Sequence, residues 1–398
     1  MLSDVYFPRV NGVSTSIQTF RNRLAQLEHE SWLIAPAYGS ESSADDSGIV
    51  RVPSQRVLFD PEDRRMQLRS ILQHLPELRS RRFDLVHIQT PFVAHYAGVL
   101  LSRRLGLPRV ETYHTLFEEY LYHYVPFVPK AWMRALARRF SRNQCNNLDA
   151  VVVPSGAVLR VLRGYGVSVP IEIIPTGIEI EQLAGGDGAA FRVRHGIAPG
   201  RPTLMHVGRV AFEKNIDFLL RVLVQVRSRI PEVLLVIAGE GPALKHLRRL
   251  AARLEVAGSV LFVGYQDRKQ ALLDCYRAGD IFVFASHTET QGLVLLESMA
   301  LGLPVVAPAI LGTKDILDAG KGAMVSALDE AEFASKVVTL LQDDVLRKRL
   351  GREANGYARE WEARRMAERM AEFYARVRER RPLAMSAPVK AAANGASD

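Results

Sequence analysis

Two carboxylates, Glu289 and Glu297, lie on either side of the apolar run GLVLL in the stretch SHTETQGLVLLESMALGLPVVAP. The segment TQGLVLLESMALG predicts a helix that starts at a glycine and runs to Gly302, after a buried strand with the sequence DIFVFAS. Glu297 would lie about one and a half turns inside this helix, so both carboxylates can face one crevice. Carboxylates only accept hydrogen bonds, and a pair at this distance can hold the hydroxyl groups of two sugar rings. Alternatively, Glu289 caps the helix and Glu297 pairs with a basic residue.

Two cations follow an apolar strand in the segment HVGRVAFEKNIDFLL. Gly208 lies at the strand end, where an open α/β sheet places its ligand crevice. Arg209 supplies a forked donor and Lys214 a compact charge, which together suit the two phosphates of a nucleoside diphosphate. The alternative is a solvated basic turn in which Lys214 pairs with Glu213 or Asp217.

Backbone groups at two further loops can contact the same ligand. The segment IAGEGP contains Gly239 and Glu240 at a strand end that glycines leave open. The start of the predicted helix would expose the N–H groups of Gln291, Gly292 and Leu293, which can donate hydrogen bonds to an anion or a hydroxyl.

The charge of the chain favours anionic partners. An excess of Lys and Arg gives a formal net charge of +9, which suits nucleotide phosphates, anionic lipid or nucleic acid. The basic residues are spread through both halves without an aromatic and basic platform of the single-strand-binding kind, so we expect no nucleic-acid partner.

Cysteine usage and the apolar runs bear on the compartment. Cys145 and Cys275 are too few for a disulfide framework, which favours a reducing compartment. No run is apolar enough to span a bilayer, and the amino terminus lacks a secretory signal pattern. We therefore expect a cytoplasmic protein, and we expect an upstream start codon to add strand residues before MLSDVYFPRVNG.

Short β-rich runs alternate with amphipathic helical patterns, which predicts βαβ units around parallel sheets. The runs are SWLIAPA, FDLVHIQT, PRVETYHT, DAVVVPS and IEIIPTG in the first half, and PTLMHVGR, VLLVIAGEGP, SVLFVGY, DIFVFAS and PVVAP in the second. A length of 398 residues favours two domains. We therefore expect an α/β protein with Rossmann-like domains over 1–180 and 201–360, joined by a Gly- and Ala-rich linker over 180–201.

The C-terminal segment divides into a helix and a tail. WEARRMAERMAEFYARVRERR predicts an amphipathic helix over 361–381, with an apolar face formed by Trp361, Met366, Met370, Phe373 and Val377. The tail over 382–398 is poor in large apolar residues, and we expect it to be disordered.

Four motifs together carry a resemblance: FPRVNGVSTSI, GRVAFEKN, GEGP and TETQGLVLLESMALGLPVVA. In this order they resemble the retaining glycosyltransferases of family four, which have the GT-B fold, and the resemblance covers nearly the whole chain. It implies two domains facing each other across a cleft, the N-terminal one for the acceptor and the C-terminal one for a nucleotide sugar. It also implies that the helix over 361–381 crosses back to the N-terminal domain and that the domains close over the donor.

The resemblance assigns roles to four charged residues. Arg209 and Lys214 match the family's two cations that neutralise the diphosphate. Glu289 matches the first glutamate of the family's pair, which holds the donor sugar, and Glu297 matches the second, which holds the ribose. The resemblance therefore implies a UDP- or GDP-hexose as the donor substrate and no cofactor.

Two N-terminal positions match as well. Gly12, in VNGVS, matches the loop whose backbone approaches the phosphate, and His114, in ETYHT, matches the histidine that contacts the donor sugar. Without the resemblance, a satisfied histidine at a strand end is the favoured interpretation of His114. The resemblance implies catalysis by His114, Glu289, Arg209 and Lys214, with the acceptor attacking from the face of the leaving phosphate. The sequence contains no Asp-x-Asp motif, in agreement with chemistry that uses no metal.

The sequence Glu289-Thr290-Gln291-Gly292 stands where the commonest family pattern is Glu-Gly-Phe-Gly. The variant resembles members that glycosylate diacylglycerol or related lipids, although mannosyltransferases with other acceptors share it. We therefore expect a lipid or lipid-linked acceptor, with a saccharide acceptor in exopolysaccharide or lipopolysaccharide assembly as the alternative. A sugar-nucleotide epimerase is the rival from another reaction class, and the combination of two carboxylates with two cations counts against it.

A basic segment over 125–143 is the candidate membrane contact. As a helix it would carry a basic stripe beside a stripe of large apolar residues, the first formed by Lys130, Arg134, Arg138 and Arg142 and the second by Trp132, Leu136 and Phe140. Such a helix can lie on an anionic bilayer at the inner face of the cell membrane. Alternatively, the apolar stripe packs into its own domain.

Overall fold

The structure is a computed structural model that describes residues 1–39, 48–57, 60–114, 116, 130–267 and 270–380. The strands of its N-terminal half are β1 (Leu33–Pro36), β2 (Ile49–Val52), β3 (Ser54–Val57), β4 (Asp60–Met66), β5 (Val86–Ile88), β6 (Arg109–Thr112), β7 (Ala150–Val153) and β8 (Ile171–Ile173). Strands β5 to β8 are parallel neighbours in chain order, and β1 pairs with β2 in parallel. Leu2 bridges β1 and β5 and joins them in one sheet, while β3 and β4 form a separate antiparallel pair.

Helices cover both faces of this first sheet. They are α1 (Gly12–Gln26), α2 (Leu68–Leu72), α3 (Leu75–Ser80), α4 (Val93–Leu105), α5 (Lys130–Asn146) and α6 (Gly156–Gly164). Helix α1 starts at Asn11, whose side chain accepts a hydrogen bond from the N–H of Ser14 at 2.8 Å. Apolar residues of α4, α5 and α6 pack with alternate residues of β7, and those of α1 pack with the others, on the opposite face. Every residue of β7 is therefore buried.

The C-terminal half is built on a second sheet, which is parallel throughout. Its strands are β9 (Thr203–Val207), β10 (Leu234–Ala238), β11 (Val260–Gly264), β12 (Ile281–Val283), β13 (Val305–Ala307) and β14 (Ala323–Val325), in the order β11-β10-β9-β12-β13-β14. Its helices are α7 (Gly188–Arg194), α8 (Ile216–Arg227), α9 (Leu244–Arg253), α10 (Gln270–Arg277), α11 (Leu293–Ala300), α12 (Thr313–Leu317), α13 (Glu330–Gln342) and α14 (Asp344–Ala358). The strand order reverses between β9 and β12, and open α/β sheets bind their ligands beyond the carboxyl ends of the strands at such a reversal.

The chain passes between the two halves at Ile178. The N–H of Ile178 donates to the carbonyl of Trp361, and the N–H of Ala363 donates to the carbonyl of Ile178, both at 2.9 Å. A Cβ on Gly177 would lie 2.3 Å from the Cα of Ala363, so only glycine permits this approach. The segment predicted as a linker, 180–201, comes after this point and contains α7, which packs into the second core.

The last helix, α15 (Ala363–Arg380), packs on the N-terminal half. It begins at Ala363, while Trp361 ends a 3₁₀ turn before it. Its buried residues, Met370 among them, pack against α1, β6 and β7. On the same face, Nδ1 of His87 lies 2.5 Å from the hydroxyl oxygen of Tyr374. Through α15 the second half is therefore joined to the core of the first.

The predicted α/β architecture with two parallel, Rossmann-like sheets is confirmed, and each apolar run named above contains a strand. Strands β2, β3, β4 and β14 were not predicted. The tail over 382–398 lies outside the described residues, as do residues 125–129 of the basic segment. Among the helices that the structure describes, none is long and apolar enough to cross a membrane.

Replacing Met370 by alanine tests how strongly α15 anchors the fold. Met370 is 0% exposed, and its truncation should lower the free energy of unfolding by about 2–5 kcal/mol because a cavity remains. Urea denaturation followed by circular dichroism measures the change. Glu372→Ala, on the exposed side of the same helix, is the control and should change the free energy by less than about 0.5 kcal/mol. Equal destabilisation by the two variants would contradict the prediction.

Candidate active site

An ion pair connects the two segments that the sequence singles out for their charges. Nζ of Lys214 contacts Oε1 of Glu289, and both side chains are largely buried. Lys214 lies in the loop after β9, and Glu289 lies in the loop after β12. These strands are neighbours at the point where the sheet order reverses. The pair therefore lies at the crevice that the topology predicts.

Arg209 follows β9 directly, five residues before the lysine of this pair in the sequence GRVAFEK. One of its guanidinium nitrogens lies 3.8 Å from Oε1 of Glu213, and the arginine side chain is 37% exposed. Asp217 lies 3.6 Å from Nε2 of His246. The two carboxylates named as alternative partners of Lys214 thus have other basic neighbours.

Two glycine-containing loops pack backbone to backbone beside these charges. A Cβ on Gly239 would lie 1.9 Å from the carbonyl oxygen of Gly208, and one on Gly241 would lie 2.3 Å from that of Val210. Both positions also have a positive φ, +138° and +155°. The N–H of Val210 donates to the carbonyl of Glu240 at 2.8 Å. The GRV and GEG motifs therefore form one continuous backbone surface at the strand ends.

Helix α11 starts directly after Gly292, whose φ of +99° lies in the left-handed region. No side chain caps this end, so the alternative in which Glu289 is the cap is wrong. Within the described part of the chain, the N–H groups of Gln291, Gly292 and Leu293 have no hydrogen-bond acceptor. They can therefore donate to an anion or a hydroxyl at the crevice.

Glu297 lies inside α11 and is 4% exposed. Its Oε2 accepts a hydrogen bond from the hydroxyl of Tyr276 in α10 at 3.0 Å. The two glutamates of the sequence pattern therefore differ in their surroundings: Glu289 pairs with a cation, and Glu297 is held by a buried phenol.

His114 follows β6 in the N-terminal half, and its Nε2 lies 3.0 Å from Oε1 of Gln89. Because an amide oxygen only accepts hydrogen bonds, this contact assigns the ring proton to Nε2 and leaves Nδ1 as an acceptor. Burial lowers the pKa of His114 to about 4, so the ring is neutral at pH 7. A neutral ring with an acceptor nitrogen can hold a hydroxyl group of a substrate.

Gly12 is the first residue of α1 and is exposed. A Cβ at this position would meet no atom within 4 Å, so local packing does not demand glycine here. The close approach of a phosphate to Gly12 stays a prediction.

Hydrogen bonds from the side chains of Thr290 and Gln291, which the sequence does not predict, join the two halves beside the site. The Thr290 hydroxyl donates to the carbonyl oxygen of His114 at 2.9 Å. The Gln291 side chain accepts from the N–H of Thr176 at 2.8 Å and donates to its carbonyl at 2.7 Å. The only sequence signal for this contact was the departure from the common family pattern at Thr290 and Gln291.

His206 is a further residue that sequence reasoning missed. It lies in β9 with an exposure of 0%, its ring stacks on Phe284, and its Nδ1 donates to the carbonyl of Val283 at 3.1 Å. Its Nε2 has no hydrogen-bond partner among the described residues and is 3.9 Å from the Cβ position of Gly208. Burial and, to a lesser extent, the charge of Lys214 lower the pKa of His206 to about 4, although the bond to Val283 and the charge of Glu289 act in the opposite direction.

In the part of the chain that the structure describes, no group of three or more His, Cys, Asp or Glu side chains is arranged to hold a metal ion. That the chemistry proceeds without a metal and without a cofactor stays a prediction.

Comparisons with known proteins identify relatives of both halves. The family described as Glycosyl transferases group 1 matches residues 188–357, and Glycosyltransferase Family 4 matches residues 10–182. Alpha-monoglucosyldiacylglycerol synthase of Streptococcus pneumoniae is 34% identical, over 77% of this chain and 70% of its own length. GDP-mannose-dependent alpha-mannosyltransferase of Mycobacterium tuberculosis is 29% identical, over 83% of this chain and 84% of its own. The crystal structure of Anabaena Alr3699/HepE in complex with UDP matches with a TM-score of 0.73 at 18% identity, over 94% of this chain and 98% of that one, and confirms the predicted GT-B fold.

The pKa of His206 predicts a pH dependence of stability. An unfolded histidine takes up a proton near pH 6.5, whereas the folded protein excludes it until about pH 4, so the unfolding free energy should fall as the pH drops through this window. His206 should account for a loss of up to about 3 kcal/mol, and His206→Phe should remove that part of the slope. Urea denaturation at several values between pH 7 and pH 4.5 measures the slopes.

The control for this prediction is His246→Phe, since the side chain of His246 is 42% exposed. The unfolding free energy of this variant should change with pH as steeply as that of the wild type. Parallel slopes for the wild type and His206→Phe would show that His206 takes up its proton equally in both states.

Proposed function

The chain belongs to glycosyltransferase family 4, and from this premise we propose that it is a retaining hexosyltransferase. In this proposal it moves a hexose from a UDP- or GDP-hexose to a hydroxyl of a membrane lipid or lipid-linked acceptor, at the inner face of the cell membrane. The observation that carries the proposal is the Lys214–Glu289 pair at the reversal of strand order, next to the uncapped start of α11. In this pair, a cation of a type that can bind phosphate lies beside a carboxylate of a type that can accept hydrogen bonds from hydroxyl groups.

The departing nucleoside diphosphate is the group that most needs stabilisation, because it leaves as an anion. Arg209, Lys214 and the N–H groups at the start of α11 are the donors available for it. Glu289 pairs with Lys214 and thereby holds the lysine at the crevice until a phosphate competes for it. This arrangement supplies positive charge and oriented dipoles from the protein's own groups.

Retention at the anomeric carbon follows when the acceptor attacks from the face that the phosphate leaves. The bond between the acceptor oxygen and the anomeric carbon forms, the bond from that carbon to the phosphate oxygen breaks, and the acceptor's proton passes to the departing phosphate. Glu289 is paired with a cation and is better suited to hold sugar hydroxyls than to attack carbon. His114, neutral and with Nδ1 as an acceptor, would orient the sugar.

A lipid acceptor is supported by the surface of α5. Trp132 is 76% exposed and Leu136 is 65% exposed, whereas Phe140 packs against the first core, so the alternative in which the apolar stripe packs into its own domain holds only for Phe140. The buried face of the helix is formed by other residues, including Met133 and Ala137. A relative that is 34% identical is named for a glucosyldiacylglycerol, a lipid. Together these observations favour lipid over soluble saccharide as the acceptor class.

The charge of the same helix suits an anionic bilayer. Its exposed arginines are Arg134, Arg138, Arg139 and Arg142. Each basic residue near an anionic bilayer contributes about 1 kcal/mol to attraction, and a tryptophan beside them suits the interface between water and lipid. The membrane contact proposed for 125–143 therefore rests on residues 132–143, the part of this segment whose side chains the structure describes.

The first test measures nucleotide release from a panel of UDP- and GDP-hexoses, with and without vesicles that contain diacylglycerol. One donor should give vesicle-dependent release, and Glu289→Ala should lower kcat by about 100-fold or more because donor-sugar contacts and the position of Lys214 are both lost. Glu353→Ala, a surface carboxylate on α14, is the control and should retain full activity. Release only with a saccharide acceptor would replace the lipid proposal, and no turnover of any donor would exclude the transferase.

The second test concerns the exposed apolar face of α5. Replacing Trp132 and Leu136 together by serine should weaken partition onto vesicles with anionic lipid at least tenfold, since burial of one such side chain contributes about 1.5–3 kcal/mol. Cosedimentation with vesicles measures this. Val193→Ser, at an 82% exposed valine of α7, should leave partition unchanged. Unchanged partition of the double variant would place the membrane contact elsewhere.

A further inference from the structure

Thr290 connects the two sides of the cleft. Its hydroxyl donates to the carbonyl oxygen of His114 at 2.9 Å, and this bond joins the loop after β12 to the loop after β6. Thr290 is the residue after Glu289, and His114 carries the ring that faces Gln89. A side chain of the second half therefore holds the backbone of the residue that the first half contributes to the site.

Gln291 makes the other contact between the halves at this loop. Its amide accepts from the N–H of Thr176 and donates to the carbonyl of the same residue, at 2.8 and 2.7 Å. A primary amide can satisfy both groups of one residue, whereas a carboxylate has no hydrogen to donate. Gln291 is 6% exposed, so the two bonds are shielded from water. The Thr176 hydroxyl continues the chain of bonds to Ser16 of α1, at 2.7 Å.

The two contacts reach different parts of the first half. Thr176 is two residues before Ile178, where the chain crosses and pairs with Trp361 and Ala363. A rotation about this crossing would leave Gln291 close to Thr176. The bond from Thr290 to His114 instead joins loops of two different sheets and lies far from Ile178 in the sequence, so we expect opening of the cleft to break it.

We propose that Thr290 and Gln291 are positioning residues that set the closed geometry of the site, Gln291 at the pivot and Thr290 across the cleft. Thr290 acts through His114, whose backbone it holds against the loop that carries Glu289. Gln291 acts through Thr176 and fixes the start of α11 to the crossing point. The inference rests on the proposed transferase function and adds to it the hydrogen bonds that hold the two halves in the closed arrangement.

Loss of the Thr290 bond should have a specific kinetic result. The donor site, which is built on the second half, stays intact, so the KM for the donor should change little. Closure becomes less favourable, and water gains access to the donor sugar in place of the acceptor. Transfer should therefore slow while hydrolysis of the donor rises relative to transfer.

Thr290→Val removes the hydroxyl and keeps the shape of the side chain. It should lower kcat for transfer about fivefold, the factor that corresponds to roughly 1 kcal/mol for one hydrogen bond, and raise the ratio of hydrolysis to transfer at least threefold. Thr290→Ser keeps the hydroxyl and should restore both values to within twofold of the wild type. Thr339→Val is the matched control, because the Thr339 hydroxyl donates only to the Ser335 carbonyl within α13, at 2.9 Å.

Gln291→Glu tests the pivot, because it keeps the size of the side chain and removes the donor to the Thr176 carbonyl. It should lower kcat at least as much as Thr290→Val. An unchanged ratio of hydrolysis to transfer in Thr290→Val, or a Thr290→Ser variant as slow as Thr290→Val, would overturn the proposal.

Hydrogen exchange separates this inference from the proposed function, since it needs no turnover. In the protein without substrate, Thr290→Val should speed amide exchange in the peptide that contains Thr112 and His114, and Thr290→Ser should not. If the wild type turned over no donor, the proposed transferase function would be excluded. The exchange measurement would still decide whether the Thr290 hydroxyl holds the two sides of the cleft together. Equal exchange of this peptide in the wild type, Thr290→Val and Thr290→Ser would show that the Thr290 hydroxyl does not hold the two halves together.

Discussion

The Lys214–Glu289 ion pair depends on one topological constraint, that β9 and β12 are neighbours and end at the same edge of the second sheet. Each partner is largely buried, and a buried charge without its counterpart is costly. The pair therefore ties together two loops that are far apart in sequence. Asn215, in the left-handed region at φ +53°, ends the first of these loops, and its side chain donates to the carbonyl of Ala285 before the second.

Close to the Lys214–Glu289 pair, tight backbone packing allows only glycine at positions 239 and 241. The carbonyl oxygens of Gly208 and Val210 occupy the space that a Cβ on Gly239 or Gly241 would need. Because these loops are packed without side chains between them, the strand ends present mainly backbone polar groups and the charges of Arg209 and Lys214. Phosphate groups are recognised by this combination of N–H groups and cations. In the proposed function, the glycines would contribute to phosphate binding because they keep side chains away from these backbone groups.

Local patterns predicted most of this structure, and contacts between distant segments account for what they missed. Apolar runs flanked by glycine identified the strands of both sheets, whereas β3 (SQRV) and β4 (DPEDRRM) lack an apolar pattern. The charged residues of the candidate site were predicted because their types suit phosphate and sugar, and the structure brings Lys214 and Glu289 together. The partners of Thr290, Gln291 and His206 lie far away in sequence, so no spacing rule could reveal these contacts. The interpretation of α5 also depended on the fold, since its sequence is compatible with two different buried faces.

The exposed face of α5 does not result from weak packing of that helix. Its inner face combines Met133 with small or polar residues, among them Ala137 and Ser141, which are each 1% exposed. Ser141 lies 2.8 Å from the Tyr113 hydroxyl, and the Gln144 amide donates to the carbonyl of Pro91 at 2.6 Å. Trp132 and Leu136 lie outside because these bonds fix the rotation of the helix. Since Tyr113 directly precedes His114, the helix that carries the proposed membrane surface is bonded to the strand end that carries the proposed sugar contact. A lipid headgroup held at that surface would therefore approach the cleft on the side of His114.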